Sequence, residues 1–278
     1  MLSYRHSFHA GSFADVLKHV VLIEILQHLL KKDKAVHYID THAGAGLFDL
    51  NSEHSLKLKE FETGIKRLTD AQWPELTKYF EIIRFFNRSG TAQYYPGSPM
   101  IALQLLRDHD RAWFYELHSS DSRLLRENVG RDRRVKVMGS DGFDGLLGLL
   151  PPVSKRALVV IDPAYEIKSD YATVVQMVHA AFRKFATGTY AIWYPIIERE
   201  RIDRLISDLE ATNISNVKRF ELCVRPDAVN GGMTGAGMIV INPPWTLAAT
   251  MDVLLPRLTE LLGQDPGACY KADTIIAE

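Results

Sequence analysis

The sequence predicts an α/β fold: a seven-stranded, mostly parallel sheet covered by helices on both faces, with a helical segment inserted into it. Three observations carry that expectation. Short apolar runs alternate with helical periodicities along most of the chain, the pattern of repeated strand–helix units. Four of those runs end on an acid, at Asp40, Glu116, Asp141 and Asp162. Residues 50–97 break the alternation with helical periodicity alone.

At 278 residues, 46% apolar and 24% charged, the chain has an ordinary globular composition for one large domain or two small ones. A net charge of −1 means that nucleic acid would have to be met by a local patch, not a global field. Cys223 and Cys269 form neither a disulfide framework nor a metal spacing, which fits a reducing compartment. The longest apolar run, 20–30, is too short to span a membrane and is broken by Glu24, Gln27 and His28. The expectation is a cytoplasmic monomer without membrane contact.

Ser12-Phe13-Ala14-Asp15 reads as a capping box that opens a helix to about residue 30, with Leu17, Val20 and Val21 on its apolar face. Lys31, Lys32 and Lys34 end it with the charge its dipole favours. Strands are expected at 35–40, 112–116, 135–138, 157–162, 189–194, 217–224 and 238–242. Helices are expected at about 98–107, 119–128, 169–186, 196–210 and 246–262. A glycine-rich loop, not a helix, joins the last two strands, so they should pair antiparallel and close one edge of the sheet. In a minimal nucleotide-binding unit the acid after the second strand lies about 20 residues past the glycine loop. Glu116 lies much farther than that from Gly46, so 50–97 is read as an inserted helical subdomain beside the cleft, and 1–49 with 98–278 as the core domain. Within the insertion, Phe61, Ile65 and Leu68 share one face, as do Leu76, Phe80, Ile83 and Phe86.

The first strand runs into Asp40-Thr41-His42-Ala43-Gly44-Ala45-Gly46. Gly44 and Gly46 let backbone amides approach a ligand closely. Phe48 and Asp49 stand where a dinucleotide fingerprint needs its third glycine, which makes a nicotinamide enzyme the weakest reading. A strand ending D-x-x-x-G-x-G instead has the look of an S-adenosylmethionine (SAM) site, with a plain glycine-rich turn as the alternative. Glu116 would then accept from the ribose hydroxyls and Asp141 would lie near the adenine. Each acid alone could equally be a helix cap or a solvated strand end. Together they surround one crevice at the carboxyl ends of the strands.

Asp162-Pro163-Ala164-Tyr165 leaves the fourth core strand. An exocyclic amine on adenine is a poor nucleophile, because its lone pair is delocalised into the ring. Two acceptors on its N–H bonds, the Asp162 carboxylate and the Pro163 carbonyl, restore that lone pair and stabilise charge developing on nitrogen. Tyr165 offers a face on which a flipped base could stack. Ala164 removes no chemical group but loosens the backbone relative to proline. The rival stretch Asn242-Pro243-Pro244-Trp245 follows the last strand, away from the fourth, and reads as a strand exit with proline starting the final helix.

His6-Ser7-Phe8-His9 has no cysteine and no H-E-x-x-H helix to support a metal, so none is expected. Residues 1–6 read as a basic-aromatic arm that could cover the cleft and contact an RNA base, or as a frayed terminus. Arg123, Arg126, Arg131, Arg133, Arg134 and Lys136 make either a phosphate-contacting patch or a solvated helix face.

With these residues in hand, the chain resembles the RlmJ family of 23S rRNA adenine-N6 methyltransferases, once described as acting in catabolism of external DNA. The resemblance spans nearly the whole chain. It rests on MLSYRHSFHAGSFADVLKH, YIDTHAGAG, YYPGSP, YELH, SDGF, IDPAYEIKSDY and MIVINPPW. It implies a Rossmann-like class I SAM-dependent methyltransferase with a helical insertion, acting at adenine-2030 of naked or partly assembled 23S rRNA. It makes His19, His42, Ser98, Glu116, Asp141 and Gly142 SAM contacts and Asp162 the proton acceptor. It makes Tyr4, His6 and Lys18 the residues that position substrate and close the site. The family pattern D-P-P-Y has Ala164 in place of its second proline. A DNA adenine methyltransferase and a non-catalytic nucleic-acid-binding module on the same fold are the alternative functions.

Overall fold

The computed structural model describes residues 5–88, 93–227 and 232–278. Helix α1 (Phe13–Leu30) leads into strand β1 (His37–Asp40). A short antiparallel pair, β2 (Leu47–Asp49) and β3 (Tyr94–Pro96), brackets helices α2 (Glu53–Leu58), α3 (Glu60–Thr63) and α4 (Thr77–Phe86). Strand–helix units follow: α5 (Ser98–Leu105), β4 (Arg111–Tyr115), α6 (Ser119–Val129), β5 (Val135–Met138), α7 (Gly142–Leu149), β6 (Ala157–Ile161) and α8 (Ser169–Lys184). Then come β7 (Thr189–Ile196), α9 (Arg199–Glu210), β8 (Val217–Cys223), β9 (Gly235–Ile241), α10 (Trp245–Leu262) and β10 (Cys269–Ile276).

The main sheet has eight strands, not seven, in the order β10-β8-β9-β7-β6-β1-β4-β5. The five from β7 to β5 run parallel. Strand β9 pairs antiparallel with both β7 and β8, so the predicted antiparallel pair exists. It does not close the edge, because β10 adds antiparallel to β8. The missed strand CYKADTII is largely solvent-exposed and carries Lys271 and Asp273, so it lacks an apolar signature. Charged side chains of this kind protect an edge from further pairing.

Strand β6, ALVVI, is buried at all five positions. Leu158 and Val160 join the core that holds α1, α5 and α10; Ala157, Val159 and Ile161 join the core under α7, α8 and α9. That burial on both faces produces its continuous apolar run. Helix α1 is unusual, with thirteen of its eighteen residues buried, including Asp15, Lys18 and His19. One side packs on β9, α5 and α10 and another on α3 and α4. In the bracketed segment Phe61, Ile65, Leu68, Leu76, Tyr79 and Ile82 are buried in the core that contains α1, while Phe80, Ile83 and Phe86 pack on it partly exposed.

Connections from β1 pass to β4 on one side and the sheet continues through β6 on the other. The carboxyl ends of β1 and β6 therefore flank a topological switch point, where ligands bind in open α/β sheets.

Candidate active site

A cleft of about 320 Å³ opens at that switch point. The exits of β1, β4, β5 and β6 line it through His42 and Gly44, Glu116, Asp141 and Gly142, and Asp162 and Pro163. Ser98, at the start of α5, closes its floor.

Gly44 and Gly46 adopt left-handed backbone, with φ of 62° and 81°, which glycine takes without steric cost. This turn aims the Gly44 N–H at Glu116 Oε2, 2.8 Å away, while the His118 N–H donates to Oε1 at 2.7 Å. Each carboxylate oxygen keeps a lone pair for a ligand hydroxyl. Burial raises the Glu116 pKa against these two hydrogen bonds. Asp141 accepts from the Phe143 N–H at 2.8 Å and so caps α7. A Cβ on Gly142 would fall 2.2 Å from the Thr41 carbonyl oxygen, so only glycine allows this approach of α7 to the β1 exit. His42 shares a 2.8 Å hydrogen bond with Thr41 and lies edge-on to Phe143; burial lowers its pKa to about 4, so the ring is neutral. Asp40 itself is fully buried below the cleft, accepting from Ser98 Oγ at 2.7 Å and Tyr38 Oη at 3.0 Å. Burial raises its pKa to about 6. It supports the floor and does not line it. The paired hydroxyl acceptors of Glu116, beside the apolar Leu117 and Phe143, fit the ribose and adenine of SAM.

At the β6 exit the Asp162 carboxylate accepts from Lys18 Nζ at 2.7 Å. Burial raises the Asp162 pKa, and the Lys18 charge pulls against that rise. Lys18 Nζ also lies 3.0 Å from Asp15 Oδ1. Asp15, 1% exposed, bonds His6 Nε2 at 2.9 Å. His6 and Lys18 both line the cleft. Arg5 donates to Asp121 at 2.8 Å, which pins the start of the described chain across the cleft from α1.

Residues 33–275 match the family described as ribosomal RNA large subunit methyltransferase D, RlmJ. The chain belongs to the RlmJ family. It is 51% identical over 260 residues to the ribosomal RNA large subunit methyltransferase J of Escherichia coli, covering 93% of each chain. It is 47% identical over 281 residues to the protein of that name from Haemophilus influenzae, covering 100% of each. A Legionella pneumophila protein of known crystal structure superposes with a TM-score of 0.89 at 35% identity, covering 96% of this chain and 98% of that one. A probable spermidine synthase of Corynebacterium glutamicum shares the fold alone. It is 13% identical, with a TM-score of 0.50 over 91% of this chain and 74% of its own. The architecture is the Rossmann-like one of class I SAM-dependent methyltransferases, and family and fold together imply SAM as methyl donor.

Of the residues singled out from the RlmJ resemblance and the strand ends, the structure brings most into one cleft, while Asp40, His19 and Tyr165 do not line it. Tyr4 lies outside the described residues. His19 is not among the side chains that line the cleft: it is fully buried, shares a 2.8 Å hydrogen bond with Tyr95, has its Nε2 3.9 Å from Asp15 Oδ1, and is held neutral by burial, with a pKa of about 3. Tyr165 is also turned away. Its ring, 7% exposed, packs against Tyr171, and its hydroxyl donates to the Trp193 carbonyl at 2.7 Å, leaving no open face for a base. Its left-handed φ of 52° is unusual for an aromatic residue, and that anchoring holds it there. In the basic cluster, Arg134 is committed to Asp132 and to backbone carbonyls of the α5 end, so it is structural. No group of three or more metal-ligating side chains is found among the described residues, and no described helix is long and apolar enough to cross a membrane.

Asp15, Leu117 and Phe143 belong to the site and were not singled out from the sequence. Asp15 looked like a capping-box acid. Ser12 does accept from the Asp15 N–H, but the Asp15 carboxylate reaches back to the Gly11 N–H at 2.9 Å and not to that of Ser12. Its spacing of one turn from Lys18 was the available signal.

Proposed function

We propose that this RlmJ-family chain transfers a methyl group from SAM to the N6 amine of an adenine in 23S rRNA, at adenine-2030, in naked or partly assembled RNA. The observation that carries this reading is a largely enclosed carboxylate, Asp162 with 13% of its side chain exposed, followed by the Pro163 carbonyl, at the lip of the cleft that contains Glu116. The family description and the names of the relatives supply the ribosomal RNA substrate. We further read the chain as a cytoplasmic monomer, and residues 50–97 as an inserted subdomain that takes part in docking RNA.

SAM supplies an electrophilic methyl group on a sulfonium. The protein's task is to bring an amine in line with it and to make that amine nucleophilic. Glu116, Asp141, Gly44, Gly142, His42 and Ser98 hold the cofactor end. Asp162 and the Pro163 carbonyl accept the two amine N–H bonds, and Asp162 takes the proton released when the N–C bond forms. Ionised Asp162 is maintained by Lys18 against its burial. His6 and Lys18, with Tyr4, position the base and shut out water.

The test is transfer of labelled methyl from SAM to unmodified 23S rRNA, followed by digestion to nucleosides, with Asp162→Asn as control. Label in N6-methyladenosine that disappears in the control supports the reading. Label transferred only to DNA would replace the substrate, and SAM binding without any transfer would leave a binding module.

A further inference from the structure

The buried first turn of α1 contains a charge that neither helix capping nor the transfer chemistry requires. Asp15 Oδ2 accepts from the Gly11 N–H and bonds His6 Nε2, both at 2.9 Å. Its Oδ1 accepts no hydrogen bond among the described residues, yet faces Lys18 Nζ at 3.0 Å. Lys18, 4% exposed, hydrogen-bonds Asp162 at 2.7 Å on its other side. One ammonium is therefore shared by two carboxylates in a water-poor setting, where charge–charge terms are large. Capping needs only an acceptor for N–H groups, and an uncharged amide would serve. A full negative charge beside Lys18 does something an amide cannot: it competes with Asp162 for the ammonium.

We propose that Asp15 is a positioning residue for methyl transfer, which holds Lys18 back from full pairing with Asp162 and ties the His6 segment to the lip of the cleft. Without that competitor Lys18 moves wholly onto Asp162, and the proton acceptor becomes a spent ion pair. With it, Asp162 keeps acceptor capacity for the amine. The role rests on the methyl-transfer reading above. The groups that act on Asp162 are Lys18, Asp15 and His6 from the N-terminal segment and α1, Asp40 and Tyr38 from β1, and Tyr165 from its own loop. Of these, Asp15 and Asp40 raise its proton affinity, and Lys18 and His6 lower it.

Asp15→Asn in the full chain keeps size and acceptor and removes charge. The readouts are SAM affinity, kcat and its pH profile on 23S rRNA, and titration of the Asp162 carboxyl carbon by NMR in 13C-aspartate-labelled protein. SAM affinity should stay within about twofold, kcat should fall roughly tenfold, and the acid limb and carboxyl titration should both move to lower pH. In a Lys18→Met background the same substitution should change single-turnover rate by less than about twofold. A fall in kcat with limb and titration unmoved, an undiminished loss in the Lys18→Met background, or full activity would each overturn the proposal. If Asp15→Asn does not fold, Asp15→Glu, which keeps the charge, decides: kcat and acid limb both near those of the native chain support the role, and a lower kcat with the limb in place, or a displaced limb, overturns it. Should the native chain fail to methylate RNA, the carboxyl titration still reports the Asp15–Lys18–Asp162 coupling separately.

Discussion

Two strand exits in this chain look alike and do different things. Asp162-Pro163-Ala164-Tyr165 leaves β6, and Asn242-Pro243-Pro244-Trp245 leaves β9. Both turns contain a non-glycine residue in left-handed backbone, Tyr165 at φ 52° and Asn242 at φ 50°. Asn242 is tied to its own turn: its side-chain amide donates to the carbonyls of Ala186 and Gly188, both at 2.7 Å, and its backbone carbonyl accepts from the Thr189 hydroxyl at 3.1 Å. Asp162 instead presents its carboxylate to a cleft and a lysine. The difference comes from strand direction. Strand β9 runs antiparallel to β7, so its exit lies at the opposite end of the sheet from the β6 exit. A motif acquires its chemistry from the end of the sheet it reaches, and composition alone does not reveal that end.

The sharpest way to break this contrast is to neutralise both exits. Asp162→Asn should lower kcat by about 10²- to 10⁴-fold, as for loss of a general base, with SAM affinity retained. Asn242→Ala should leave kcat on 23S rRNA and SAM affinity unchanged, and a rate loss there would sink the assignment. Calorimetry should instead show Asn242→Ala destabilised by about 1–3 kcal/mol, since two carbonyls lose their donor. The pH profile separates the two ends again. Transfer needs ionised Asp162, whose pKa burial raises above the ordinary 3.8, so rate should fall with acidification through a limb above that value. His42, neutral down to about 4, also titrates in acid, so His42→Gln separates the two: the limb should stay in place because it belongs to Asp162. The smallest effect is expected from Ala164→Pro. Restoring the stiffer backbone is worth roughly 0.4–1 kcal/mol, which should raise kcat about two- to fivefold without changing pH dependence.

The cleft was legible because four strands run out into acids, and β6, buried on both faces, leaves a plain apolar run before its turn. What was not legible has particular causes. Strand β10 is polar and exposed, and Gly145 and Gly148 hide the helical character of α7. His19 and Tyr165 have the right chemistry in the right neighbourhood, and only rotation about a helix or a left-handed turn directs them inward. Asp15 was visible as a helix start, but Asp162, which it meets through Lys18, follows a strand far along the sequence.

The double-sided burial of α1 has a consequence for biosynthesis. Its apolar residues pack on β9 and α10, which are the last third of the chain to be made. Ribosomes add roughly 5–20 residues per second, so this helix waits on the order of ten seconds or more for its permanent neighbours. During that interval α3 and α4, translated soon after it, are the first surfaces able to cover it. A nascent chain shortened before β9 would leave uncovered a helix that buries thirteen of its eighteen residues, making it a candidate for chaperone capture.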